Sequence, residues 1–208
     1  MTGNPQYRIA DIAALEAHYG SVNDTSRLKE IDHIHPAYAA LIKASPFAVL
    51  ATGGQGGMDA SPRGDLGGVV DIVDERTLIL PDRRGNNRID SLRNIIENPQ
   101  VALIFLVPGL GETLRVNGRA EISADPELLE RYAMDGKLPR TVLVIHVDAV
   151  FFQCSRALIR SQLWNPERHV PRASLPSTGA ILEAVTRASI DGAAYDRELP
   201  ERLKTTLY

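Results

Sequence analysis

Residues Thr77–Pro99 read TLILPDRRGNNRIDSLRNIIENP, and the order of textures in this stretch decides the fold. An apolar strand, Thr77–Pro81, runs into a polar turn carrying Asp82, Arg83, Arg84, Gly85, Asn86, Asn87 and Arg88. A helix over Arg88–Glu97 follows, with Ile89, Leu92, Ile95 and Ile96 on one face, and it stops at Asn98-Pro99. Beyond it, Val101–Val107 is a nearly continuous apolar run, the pattern of a strand buried on both faces.

Working outward adds mostly strands. Phe47–Thr52 and Met58–Arg63 flank Gly53-Gly54-Gln55-Gly56-Gly57, a hairpin loop that demands positive φ. Val69–Val73 joins Thr77–Pro81 through Asp74-Glu75-Arg76, Thr113–Ile122 alternates with Arg115, Asn117 and Arg119 on one face, and Thr141–Phe152 forms a long strand. Few helices interrupt this series: Arg88–Glu97, and a short one opened by Asp125-Pro126. A doubly wound sheet needs a helix between most strands, so a small antiparallel barrel is expected instead. Helices flank it. Ile9–Tyr19 has helical spacing and closes at Gly20, residues 21–32 read as an irregular charged connector, Pro36–Ala44 is a short helix, and amphipathic helices follow Pro176.

Composition narrows the function classes. The 208 residues are 44% hydrophobic and 24% charged with a net charge of -3, which gives no electrostatic case for nucleic-acid binding. Lysine occurs only as Lys29, Lys43, Lys137 and Lys204, the other basic residues being arginine, a bias that genome composition explains as readily as function. The lone Cys154 excludes an internal disulfide, the N-terminal residues lack the apolar core of a signal peptide, and Val101–Val107 is far too short to span a bilayer. A cytoplasmic protein without membrane or nucleic-acid partners is expected.

Three constellations carry chemistry. Arginines and amides between a strand end and a helix start, as in Asp82–Arg88, suit an oxyanion such as a phosphate: the helix N–H groups attract negative charge and guanidiniums add bidentate donors. Four arginines between 83 and 93 would also repel one another without an anion among them. The plainer alternative is a solvated basic loop. On an alternating strand, Ser61 and Arg63 of Ser61-Pro62-Arg63-Gly64-Asp65 point the same way, so Arg63 can reach the same ligand; the alternative is an edge strand protected by Pro62. The third is Cys154–Trp164, where Arg160 and the sole tryptophan, Trp164, either meet a planar ligand or anchor the tail. His33 and His35 beside Asp32 lack the further ligands of a closed metal site, and Cys154 lacks a matched histidine. Neither a nucleophile elbow, a Walker loop nor a strand-to-helix GxGxxG is present.

In this order the blocks Ser61–Asp65, Leu80–Pro99, Phe105–Ala120 and Cys154–Trp164 resemble the pyridoxamine 5′-phosphate oxidase-like superfamily of flavin split-barrel proteins, in its FMN-dependent branch, over roughly residues 36 to 168. The resemblance implies a mainly β (α+β) fold, a six-stranded antiparallel split β-barrel with flanking helices. It divides the chain into N-terminal helices packing on the barrel (1–45), an FMN-binding split-barrel domain (46–168) and a C-terminal helical tail (169–208). It implies a homodimer with FMN at the subunit interface. Arg63 and the turn residues Arg83, Arg84, Asn86, Asn87 and Arg88 would hold the flavin phosphate, and Leu80, Pro81 and Asp82 would pass the ring or ribityl chain. Thr113 matches a strand start where the oxidases place a glutamine, which this chain lacks. Arg160 and Trp164 would come from the partner subunit. The activity implied is an FMN-dependent oxidoreductase on a small substrate, the alternatives being a flavin or haem carrier or sensor, or a deazaflavin-dependent reductase. The chain also lacks the oxidases' closing Arg-x-His and ends in Leu207-Tyr208, so pyridoxamine phosphate is not assigned as substrate.

Overall fold

A computed structural model describes residues 4–208. Helix α1 (Ile12–Tyr19) is capped by Asp11, whose carboxylate accepts from Ala14 N at 2.8 Å, and ends at Gly20 with φ 74°. Residues 21–32 are not wholly irregular: Asn23 caps a short helix, α2 (Asp24–Leu28), and Ile31 bridges to Val150. His35 opens α3 (Pro36–Ala44), its Nδ1 accepting from Ala37 N at 3.2 Å, so this imidazole serves as a helix cap. Helices α1 and α2 bury no residue, whereas Ile34 and Ile42 of the α3 region enter the core.

The strands are β1 (Phe47–Gly54), β2 (Gly57–Gly64), β3 (Asp71–Asp74), β4 (Thr77–Asp82), β5 (Gln100–Leu106), β6 (Thr113–Ser123) and β7 (Thr141–Gln153). Helix α4 (Asp90–Glu97) lies between β4 and β5, and α5 (Pro126–Arg131) between β6 and β7. They form one antiparallel sheet in the order β2-β1-β5-β6-β7-β4-β3. The six strands that the resemblance implies are corrected to seven: every strand segment read from the sequence forms, the four-residue edge strand β3 included. No ladder joins β2 to β3 among the described residues, so hydrogen bonds do not close the sheet. Ion pairs bring its ends together instead. Arg63 at the end of β2 meets Asp82 of β4 at 3.3 Å, and Arg83 meets Asp65 at 2.7 Å. Strands at opposite ends of the order can meet this way only because the twisted sheet curls.

The inside of the curl is the core. Leu50, Leu78, Leu103, Phe105, Leu114 and Ile145 are essentially inaccessible, and each such burial contributes about 1.5–3 kcal/mol. Strand β5 shows one buried face rather than two. Val101, Leu103 and Phe105 are buried while Ala102, Ile104 and Leu106 are only partly covered, the outer face being left half open by the described residues.

Helix α4 also departs from its sequence pattern. It turns Ser91, Asn94 and Ile95 inward and leaves Ile89 and Ile96 exposed, Ile96 by 79%. The reason is polar and local to β1 and β2: Asn94 Nδ2 donates to Thr52 Oγ1 at 3.1 Å and to Gly57 O at 3.4 Å. Gly54 makes room, since a Cβ there would lie 2.6 Å from Asn94 Oδ1 and Glu97 Oε2. Both strands extend into the glycine stretch, so the hairpin turn shrinks to Gln55-Gly56.

After β7 come α6 (Arg156–Ser161), α7 (Thr178–Val185) and α8 (Gly192–Thr206). The last two pack together at Gly179 and Gly192, and Asp196 accepts from Gly179 N at 2.7 Å and Ser177 Oγ at 2.5 Å. No helix among the described residues is long and apolar enough to cross a membrane.

Candidate functional site

The alternation of β2 places Asp59, Ser61 and Arg63 on one face, opposite Ser91 in the first turn of α4. Ser91 Oγ and Ser61 Oγ donate to Asp59 Oδ2 at 2.5 and 2.8 Å. The Ser91 bond, with help from Ser61 and Arg63, holds the Asp59 carboxyl below its usual range against partial desolvation. Arg63 is held on one side of its guanidinium, with Nη1 3.3 Å from Asp82 and Nη2 donating to Ser91 Oγ at 3.5 Å. Its Nε is buried and finds no hydrogen-bond partner among the described residues. The same is true of Thr141 Oγ1, on the residue of β7 that pairs with Asp82.

These two atoms belong to residues lining one cavity of about 270 Å³, with Arg84, Arg88, Ile89 and Arg140 among its walls. The start of α4 also faces it. Ile89 at the N-cap supplies no capping side chain, so the first-turn N–H groups lack the usual acceptor. Asn87 has φ 60°, a left-handed conformation that asparagine tolerates, and Asn86 Oδ1 accepts from Arg88 N at 2.9 Å. The Arg83–Arg88 turn is thereby folded between this cavity and a second one of about 490 Å³, whose walls include Arg63, Asp65, Pro81, Arg83 and Tyr208.

Charge balance here differs from the sequence expectation. Arg63 pairs with Asp82, Arg83 with Asp65 at 2.7 Å, and Arg88 with Asp90 at 2.5 Å, while Arg83 also donates to the Tyr132 carbonyl. Mutual repulsion among the arginines therefore does not by itself call for an anion. Arg63 Nε and Thr141 Oγ1 beside the uncapped helix are left without a partner among the described residues, as is Arg202 Nη2 in α8, and a buried donor without an acceptor costs about 1–3 kcal/mol. Burial pushes the Asp82 carboxyl above its ordinary range, with Arg63 and Arg140 pulling it back.

Arg63, Leu80, Pro81, Asp82, Arg83, Arg84, Asn86, Asn87 and Arg88 all line one or both of these cavities. Thr113, Arg160 and Trp164 do not. Thr113 is buried and pairs with Gln153, at the far end of β7 from Thr141. At about 3.3 Å per residue, the two ends are on the order of 40 Å apart along the strand. Arg160 is exposed on α6, and Trp164 Nε1 donates to Leu110 O at 2.8 Å beside a separate cavity of about 330 Å³. Ser91, Arg140, Thr141 and Tyr208 were not legible as site residues. Their places follow from ladder register and curl, for which a single sequence carries no marker.

A family model described as pyridoxamine 5′-phosphate oxidase matches residues 34–154. Among solved structures, HupZ of Group A Streptococcus is 23% identical, over 56% of this chain and 90% of its own, with a TM-score of 0.46. General stress protein 26 of Bacillus anthracis strain Sterne is 17% identical over 55% and 88%, with a TM-score of 0.42. An FAD-binding protein of Mesorhizobium loti is 17% identical over 55% and 89%, with a TM-score of 0.41. None of the curated proteins matches the chain.

Proposed function

This chain belongs to the pyridoxamine 5′-phosphate oxidase family, and from that premise we propose that it binds FMN and acts as an FMN-dependent oxidoreductase on a small-molecule substrate. The observation that carries the reading is the pair of buried, unpartnered polar atoms, Arg63 Nε and Thr141 Oγ1, on the walls of a cavity at the uncapped start of α4. A phosphate monoester satisfies both atoms and accepts from the free first-turn amides, with Arg84 and Arg88 adding positive charge. Leu80 and Pro81 border the adjoining cavity, where the ribityl chain and ring would run past their backbone.

Bound FMN supplies hydride chemistry, and the chain's share is binding, orientation and electrostatics. Arg63 fixes the phosphate end, and Ser91 and Asp59 hold the β2–α4 wall in place. Hydride transfer at such a centre needs no protein acid or base, so none is assigned. Thr113 lies beside the end of β7 far from the turn, on the order of 40 Å along the strand. Arg160 and Trp164 line neither cavity, and both placements support a homodimer in which those residues reach the site from the partner subunit.

Comparing FMN with riboflavin tests the phosphate directly. Purified protein should show absorption near roughly 370 and 450 nm once loaded with a flavin cofactor, and it should bind FMN at least about tenfold more tightly than riboflavin, one charge-assisted contact's worth. Equal affinity for the two, or no binding of either, would overturn the reading. A Soret band or preference for a deazaflavin would move the chain to a haem or deazaflavin protein on the same scaffold.

A further inference from the structure

The larger cavity beside the arginine turn is walled on one side by Leu207 and Tyr208, which follow α8, more than a hundred residues further along the chain. The Tyr208 hydroxyl donates to Asp65 Oδ1 at 2.9 Å, and the other oxygen of that buried carboxylate accepts from Arg83 Nε at 2.7 Å. Lys137 Nζ donates to Tyr208 O at 3.0 Å. Helices α7 and α8 are bonded mainly to each other, through Asp196, Ser177 and the Gly179–Gly192 contact. Among the described residues, both hydrogen bonds that tie segment 176–208 to the barrel are made by Tyr208. The one residue that docks the helical hairpin is thus also a wall of the ligand cavity.

We propose that Leu207–Tyr208 is a strap across the flavin site, and that Tyr208 is a positioning residue that closes over the bound ligand. The proposal rests on the FMN reading of the same site. With Tyr208 docked, a volume of about 490 Å³ remains, within the range of roughly 300–1,000 Å³ typical of ligand sites. The phenol therefore walls the cavity and does not fill it. Ligand binding and strap docking then reinforce one another: a ligand held under the strap leaves only when Tyr208 lets go of Asp65. The Asp65 carboxylate joins the strap to Arg83, so docking also sets the direction of one guanidinium on the turn.

The experiment uses the full chain with FMN as probe, comparing wild type with Tyr208→Ala and Tyr208→Phe. Stopped-flow flavin fluorescence gives the release rate, and hydrogen exchange of the α8 amides reports docking without any ligand. Tyr208→Ala should release FMN at least about tenfold faster, because it loses the ring as well as a hydrogen bond to a charged group, and α8 should exchange faster in the free protein. Tyr208→Phe loses the hydroxyl's bond to Asp65 but keeps the ring as a wall, and both variants keep the Lys137 bond to the backbone carbonyl, so it should fall between the two. Unchanged release in Tyr208→Ala, with wild-type FMN binding intact, overturns the strap and leaves the FMN reading standing. If wild type binds no FMN, the flavin reading falls by itself. The exchange arm then decides the docking, and unchanged α8 exchange in Tyr208→Ala overturns it.

Discussion

Arg63 carries an ion pair on one side of its guanidinium and a buried, unpartnered Nε on the other, so its replacement separates anchoring from charge. Arg63→Ala should weaken FMN binding by about 1.5–3 kcal/mol, and Thr141→Val by about 0.5–1.5 kcal/mol. Arg63→Lys should behave nearly as the alanine variant, because an ammonium lacks the fork that lets one face meet Asp82 while the other meets a phosphate. Fluorescence titration reads all three, and unchanged affinity in the alanine variant would place the phosphate elsewhere. Asp82 makes a pH prediction of definite sign. Burial raises its carboxyl above the ordinary 3.8, so between that value and its own the folded chain keeps a proton that the unfolded chain releases. Stability contributed here is present at low pH and falls as pH rises through that window. The stability of Asp82→Asn relative to wild type should therefore climb across the same window and level off above it; urea midpoints over a pH series check this, and a difference that shrinks with pH would refute it. At this scale the residues in one block were legible, since Asp82–Arg88 is continuous in sequence. Their partners were not. Asp65 lies 18 positions before Arg83 and Tyr132 lies 49 after it, and nothing in the sequence pairs those positions.

The orientation of α4 decides whether its free N–H groups face the cavity, and Gly54 sets how close the helix sits. A methyl group at Gly54 meets Asn94 Oδ1 and Glu97 Oε2 at 2.6 Å and Asn94 Cα at 3.2 Å. The backbone atom cannot swing away as a side chain would. Gly54→Ala should cost about 1–3 kcal/mol of stability, the usual range for overpacking, and should also weaken FMN binding by shifting the helix start. Gly56→Ala, in the same turn with nothing within 4 Å, is the control and should leave both nearly unchanged. Denaturant melts and FMN titration on the pair decide it, and equal behaviour of the two variants would show that α4 is not seated by Gly54. Strands were the legible elements because their period needs only near neighbours: Val101, Leu103 and Phe105 alternate inward as their types require. The inward face of α4 was legible in half: Ile95 is buried and Leu92 packs on the core, but Ile89 and Ile96 turn outward because Asn94 and Ser91 bond to Thr52 and Asp59 on distant strands.

Across the whole molecule, the seven-stranded sheet is open: among the described residues, side-chain ion pairs and no ladder link the β2 side to the β4 side, and the two cavities lie at that charged seam. Antiparallel strands were legible from strand density, Val69–Val73 at the place of β3 among them, but closure was not: β3 is a four-residue edge that pairs only with β4, and the sheet stays open. The two groups of candidate residues sit near opposite ends of β7, and a strand on the order of 40 Å long cannot fold back to join them within one chain. If Trp164 of the partner subunit completes the site, the defect of Arg63→Ala and that of Trp164→Ala fall on different chains of one dimer. Each variant alone would then have every site impaired. Unfolding and refolding an equal mixture makes half the dimers mixed. In a mixed dimer one site inherits both substitutions and the other inherits neither. About a quarter of all sites should regain wild-type FMN affinity, as a two-fold dimer with shared sites requires. Titrating the refolded mixture should resolve that quarter as a tight-binding fraction absent from either variant alone. A mixture that behaves as the average of its parents would show that each site is built by a single chain, and that Trp164 anchors its own segment to Leu110 and does nothing more.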